Sequence, residues 1–192
     1  EGRQFFTVES DPPPSELASL VRRRGREVFE AVFRAYPNIT FHSSWLFSTI
    51  QKWHAWVTPE LGLDQSALAE SFGELWGHFM NGAIDAMPSG ATIVEGNEER
   101  GYHGNADKNE FTVAAWRMSR GASEQVSPEN RRKFLSQLSV SFGQYADSYI
   151  NKSTSEYYHA PLGGSRLKRW HENLQGAINV ADDYVWIYGE KG

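Results

Sequence analysis

Amphipathic stretches and short β-branched or aromatic runs alternate along the 192 residues in the order helix, strand, helix, strand, helices, strand, helix, strand. Alternation of this kind builds parallel sheets from βα units. Only four strands are found, and no helix follows the last to cover its outer face. A complete eight-fold barrel takes at least about 200 residues and usually about 250. The expected fold is therefore α/β, made of parallel βα units and forming the C-terminal half of a (β/α)8 TIM barrel without its early strands and final helix. A small open doubly wound sheet is the alternative. Residues 1–192 are expected to form a single domain or domain fragment, since no repeat, low-complexity tract or linker divides them. A chain of this size can hold one core without metal or disulfide.

Pro12, Pro13 and Pro14 stop whatever precedes them, and Ser15 caps a helix on which Leu17, Leu20, Val21, Val28, Val32 and Ala35 recur at helical spacing. It ends near Tyr36-Pro37. Residues 39–45, short and rich in β-branched and aromatic types, read as a strand, followed by a loop with Trp53, His54 and Trp56. From Asp64 a second helix carries Leu68, Phe72, Leu75, Trp76, Phe79, Met80, Ala83, Ile84 and Met87 on one face until Pro88 and Gly90 end it. Residues 91–95 form a buried strand leading into a polar turn over 96–101.

Asp107 with Glu110 makes a capping box for a third helix to about Arg120, and Ser127-Pro128 opens a fourth. After Phe134 the pattern fits a helix through Leu138, Phe142, Tyr145 and Tyr149 and a strand through Leu138, Val140 and Phe142; a strand from Ser139 to about Asp147 is favoured. Pro161 and Gly163-Gly164 break the chain. Ser165 then caps a helix with Leu167, Trp170, Leu174, Ala177 and Ile178 inward, and Tyr184 to Tyr188 is the last strand.

Composition excludes several chemistries. With no cysteine, a thiolate nucleophile, a Cys-ligated zinc and a disulfide framework are ruled out. A net charge of -5, from 19 basic and 24 acidic residues, gives no footprint for nucleic acid or an anionic membrane. No apolar run approaches the roughly 20 residues of a membrane span. Phosphate loops, dinucleotide fingerprints and His-Glu-x-x-His strings are missing, and no cofactor is expected. Ser165-Arg166-Leu167-Lys168 matches a serine-lysine nucleophile pattern, but Ser165 stands where a helix cap belongs. Asn105, Asp107 and Asn109 lack the glycine and closing glutamate of a calcium loop. Aromatics at 14%, with seven tryptophans, exceed the needs of a core and point to a stacking surface.

In a parallel barrel the active face lies at the C-terminal strand ends. Three strands deliver carboxylates there: Glu95 and Glu98 after the second, Asp147 after the third and Glu190 after the fourth. Alternation on the last strand directs Val185 and Ile187 to the helix layer, and Tyr184, Trp186, Tyr188 and Glu190 to a cleft. Trp45, Trp53, Trp56, Tyr102, Trp186 and Tyr188 are candidate platforms for sugar rings. His42 and His103 stand near strand ends, where they could bond hydroxyls. Trp76, Trp116 and Trp170 fall at core spacing on helices.

Arg24-Gly25-Arg26 before a helix, the string from Ala91 to Glu98 and the string from Asp183 to Glu190 together resemble the C-terminal half of bacterial TIM-barrel glycoside hydrolases. The resemblance implies a carbohydrate-active barrel, an oligo- or polysaccharide partner, and a secreted or periplasmic location. Asn97-Glu98 is also similar to the Asn-Glu acid/base pair of the large retaining-glycosidase clan. In that clan the nucleophile lies three strands onward, whereas Glu98 to Glu190 counts as two. Glycoside cleavage needs an acid to protonate the leaving oxygen and a carboxylate to attack or activate water. Glu98 is expected as the acid and Glu190 as nucleophile or base. Trp45, Glu95, Asn97, Tyr102, His103, Asp147, Trp186 and Tyr188 are expected to bind substrate, with no metal. The competing classes are a metal-assisted hydrolase using His42, Glu95, Asp147 and Glu190, and a non-catalytic glycan-binding barrel. The rest of the barrel, or a second chain, is expected over the open sheet edge.

Overall fold

A computed structural model describes residues 14–48, 65–98 and 109–191. Its elements are α1 (Pro14–Ala35), β1 (Thr40–Ser43), α2 (Gln65–Ala86), β2 (Thr92–Glu95), α3 (Asn109–Trp116), α4 (Arg131–Gln137), β3 (Leu138–Tyr145), α5 (Arg166–Ile178) and β4 (Tyr184–Tyr188). The strands form one curled, half-barrel sheet in the order β1-β2-β3-β4, and every neighbouring pair is parallel. The expected α/β fold of parallel βα units is thus observed, with strands adjacent in sequence also adjacent in space.

Residues paired across a parallel sheet share a face. Phe41, Ile93 and Leu138 are in register and pack against the helices, as do Phe142 and Val185. The opposite, concave face carries His42, Val94 and Ser139, then Gly143 opposite Trp186 and Tyr145 opposite Tyr188. The helix side holds two apolar clusters. One joins Phe29, Phe33, Met80, Ile84, Ile93 and Phe134; the other joins Phe111, Met118, Val140, Phe142 and Ala177.

Helices α1 and α2 cross at two glycines. A Cβ on Gly25 would stand 2.0 Å from the Phe79 carbonyl oxygen, and one on Gly82 would stand 2.0 Å from that of Arg22. Beside this crossing Arg22 makes a two-pronged pair with Asp85, both bonds at 2.8 Å, and reaches Glu129 at 2.7 Å. Burial works to raise the Asp85 carboxyl, but hydrogen bonds from Arg22 and Asn130 outweigh it and hold the group below its ordinary range.

Several expectations are corrected in detail. Helix α1 begins at Pro14, one residue before the expected Ser15 cap, and Arg24-Gly25-Arg26 lies inside it. Its buried residues are Gly25, Phe29 and Phe33, while Val28 and Ala35 face solvent. The third helix stops at Trp116 and passes into a π-helical turn, Arg117–Gly121; Ser127-Pro128 leads first into a 3-10 turn before α4. The ambiguous stretch is a strand, but it ends at Tyr145, and Ala146–Tyr149 is a 3-10 turn. Ser165 does cap α5, its hydroxyl accepting from the Lys168 N–H. Leu167 and Ile178 nevertheless face outward, because α5 packs through Asn173, Gly176 and Ala177, with the Phe111 ring against Gly176. Trp116 is 61% exposed rather than core.

Replacing Gly25 by Ala is expected to destabilise the fold by about 1–3 kcal/mol, since overpacking against backbone outweighs the roughly 1 kcal/mol that Ala contributes in a helix. Gly121→Ala, where the nearest atom would be 3.6 Å away, should be close to neutral. Urea titration of both variants makes the comparison.

Candidate active site

Asn97 has φ 43°, the one non-glycine residue with positive φ among those described. Asn adopts this left-handed conformation more readily than most residues, and strained backbone of this kind clusters at functional sites. Four hydrogen bonds hold the turn around it. The Gly96 N–H donates to the Ser43 carbonyl at 2.7 Å, and the Glu98 N–H to the Ser44 carbonyl at 3.2 Å. From the other side, Trp186 Nε1 donates to the Gly96 carbonyl at 2.8 Å, and the Tyr188 hydroxyl to the Glu98 carbonyl at 3.1 Å. The segments after β1 and β2 are therefore tied to each other and to β4.

Trp186 and Tyr188 reach β2 across β3 because Gly143 has no side chain. A Cβ there would be 2.9 Å from the Trp186 ring and 3.2 Å from that of Tyr188. The rings belong to an aromatic row along the concave face. His42 meets Trp186 edge-on at 5.2 Å, Trp186 stacks on Tyr188 at 4.6 Å, Tyr188 lies 5.2 Å from Tyr145, and Tyr145 meets Tyr157 edge-on at 6.0 Å. Trp186 and Tyr188 thus point inward and Val185 packs among helix residues, as the alternation requires. Ile187, expected under a helix, is 53% exposed.

The carboxylates fall into different settings. Glu98 is half-buried at the pinned turn. Burial lowers the His42 imidazole below its ordinary value, and the Glu98 charge partly opposes this. Glu190 is exposed just past β4. Its charge helps to raise the Tyr157 hydroxyl, after the larger effects of a hydrogen bond and charge from Glu156 and of burial. Glu95 and Asp147 do not face the cleft. Glu95 shares the helix-side register of Ser43 and Val140, is fully buried, and accepts from the Leu46 N–H at 3.1 Å and the Ser48 hydroxyl at 2.7 Å. Its second oxygen, Oε2, is buried without a hydrogen-bond partner. Asp147, 2% exposed, accepts from the backbone N–H groups of Glu190 at 2.8 Å and Lys191 at 3.1 Å. It clamps the chain after β4.

Trp45, on the segment after β1, is 44% exposed. Trp53, His54, Trp56, Glu99, Tyr102, His103, Asn105 and Asp107 lie outside the described residues. Among the described residues no three His, Asp or Glu side chains gather as metal ligands, so His42, Glu95, Asp147 and Glu190 are not brought together. No described helix is long and apolar enough to cross a membrane. Sequence reasoning missed the roles of Gly143, Tyr145 and Tyr157. Only the Asn in the turn after β2 carried a readable signal for its strain.

Fold and site together define an α/β protein of parallel βα units whose aromatic concave face ends at a pinned Asn-Glu turn. Comparison with family models, with curated proteins and with solved structures finds no match.

Burial raises the Glu95 carboxyl from 4.5 to about 7, against the opposing hydrogen bonds of Ser48 and Leu46. Because the folded value lies above the unfolded one, its contribution is full below the unfolded value. It declines as pH rises and is lost above the folded one. The loss should total about 3 kcal/mol between pH 4.5 and about 7. Glu95→Gln should flatten that slope, as followed by urea midpoints at a series of pH values. An unchanged slope would show that Glu95 does not titrate in this window.

Proposed function

We propose that the four strands are the C-terminal half of a (β/α)8 barrel and that its cleft hydrolyses a glycosidic bond in an oligo- or polysaccharide. The observation that carries this reading is the Asn97–Glu98 turn, left-handed at Asn97 and pinned by four hydrogen bonds at a C-terminal strand end. Parallel-barrel chemistry is performed at that end. Glu98 is the general acid that gives its proton to the leaving oxygen. Glu190 is the carboxylate that activates water or attacks the anomeric carbon. Asp147 fixes the backbone of Glu190. Asn97 in the turn and His42 beside it bond hydroxyls, and Trp45, 44% exposed on the segment after β1, is the stacking residue.

Glu98 follows β2 and Glu190 follows β4, two strands onward, so their backbones start about 10 Å apart. That spacing favours an inverting pair, with about 6.5 to 9.5 Å between carboxyl groups, over a retaining one at roughly 5 to 5.5 Å.

A panel of 4-nitrophenyl glycosides and soluble polysaccharides tests the activity. Glu98→Gln and Glu190→Gln should each lower kcat by about 100-fold or more while sugar binding holds, since the amide keeps shape and loses the proton or charge. Proton NMR of the first product should show inverted anomeric configuration. Near-normal turnover in both variants rejects the pair, and binding without turnover in the parent chain identifies a glycan-binding barrel instead.

The half-barrel reading has its own test. Strands β1 and β4 have no outer neighbour among the described residues, and unpaired sheet edges promote association. Sedimentation of residues 1–192 should show self-association that grows with concentration. A strictly monomeric chain whose β1 and β4 amides exchange as slowly as those of β2 and β3 would overturn the reading.

A further inference from the structure

We infer that Trp186 and Tyr188 are positioning residues that set the Asn97–Glu98 turn, and that they are not sugar platforms. The reading rests on the glycosidase proposal for its catalytic consequence, but its structural half stands on hydrogen bonds and ring geometry alone.

A platform needs an open ring face, because a sugar stacks its apolar C–H surface on flat aromatic area. The Trp186 and Tyr188 rings are stacked on each other at 4.6 Å and 24°, and no sugar ring enters a stack that close. His42 also meets Trp186 edge-on at 5.2 Å, and the Tyr145 ring lies 5.2 Å from that of Tyr188. The Trp side chain has a single donor, and it is engaged by the Gly96 carbonyl. The Tyr188 hydroxyl proton is engaged by the Glu98 carbonyl.

Those two carbonyls flank Asn97, so the bonds from β4 grip the left-handed residue on both sides. The amides of the same two residues, Gly96 and Glu98, are held from the β1 side by Ser43 and Ser44. With both carbonyls and both amides bound, the Glu98 backbone cannot rotate without breaking bonds to two other strand ends. A general acid must sit within hydrogen-bond reach of the oxygen it protonates, and misplacement by about 1 Å is enough to slow a reaction about 100-fold. Gly143 completes the arrangement, since any side chain there would lift the two rings away from β2.

The test uses the whole chain with Tyr188→Phe and Trp186→Phe, and Tyr184→Phe as a control on the same strand. Each of the first two keeps an aromatic ring and removes the donor. Amide hydrogen exchange of Gly96 and Glu98, followed by NMR, is expected to quicken about tenfold, the effect of losing one hydrogen bond, while Ile93 and Val94 exchange as before. On a glycoside the unaltered chain cleaves, kcat should fall with KM unchanged. Tyr184→Phe should change neither. Unaltered exchange at residues 96 and 98, or a raised KM with kcat intact, overturns the inference in favour of platforms. Faster exchange throughout β2 and β3 overturns it in favour of a general structural role. If the unaltered chain cleaves no glycoside, the proposed function fails, and the exchange measurement still decides the role of the two rings.

Discussion

A Cβ on Gly143 would collide with both aromatic rings of β4, so Trp186 and Tyr188 can cross β3 and bond to the end of β2 because that one position is bare. Strands two apart in a sheet are about 10 Å apart by backbone. Ordinary side chains on the intervening strand would fill that gap. Leaving it open lets large rings bridge it, and the bridge couples the end of β4 to the end of β2 and, through Ser43 and Ser44, to the end of β1. The geometry of the concave mouth follows from that coupling. The strained Asn97, the placement of Glu98 and the aromatic row from His42 to Tyr157 all depend on it.

Most of the fold was legible because the period of apolar residues distinguishes helix from strand, and because breakers such as Pro88, Gly90 and Gly163-Gly164 stand between elements. The last strand was placed within its observed limits, and alternation separated Val185 from Trp186 and Tyr188, but Ile187 and Tyr184 are exposed where a helix contact and a cleft position were expected. What failed has physical reasons. On α1 the apolar positions cover more than one face, and the crossing with α2 at Gly25 and Gly82 selects Phe29 and Phe33 over Val28; a glycine contact leaves no hydrophobic signal. On α5 nothing in the pattern of Leu167 and Ile178 tells that the helix would be covered along only one side. Trp116 sits at core spacing on α3, yet the helix converts to a π turn directly after it and leaves the ring in solvent.

The candidate site was legible as a set of residue types at strand ends, but not as a set of directions. Glu95 and Glu98 both follow β2, yet parity sends the first to the helix face and the left-handed turn sends the second toward His42. Periodicity cannot convey this, since alternation ends where the strand ends and the next direction is set by one backbone angle. Asp147 was read as facing a cleft for the same reason. Its strand stops at Tyr145, and the 3-10 turn that follows carries the carboxylate to the backbone of residues 190 and 191.

Four carboxylates at three strand ends therefore have four environments, and environment sorts them into roles. Full burial with one unpartnered oxygen pushes Glu95 toward neutrality near pH 7, which disqualifies it from electrostatic work in a cleft it does not face. Two backbone N–H groups make Asp147 a structural acceptor. With these two assigned to the frame, the pair on which the proposed hydrolysis rests is Glu98, whose backbone is bound on both sides, and Glu190, whose backbone is bound by Asp147 and which is exposed. A fixed backbone limits where a side chain can go. The frame therefore fixes the backbone at both of these residues, Glu98 through Tyr188 and Ser44 and Glu190 through Asp147.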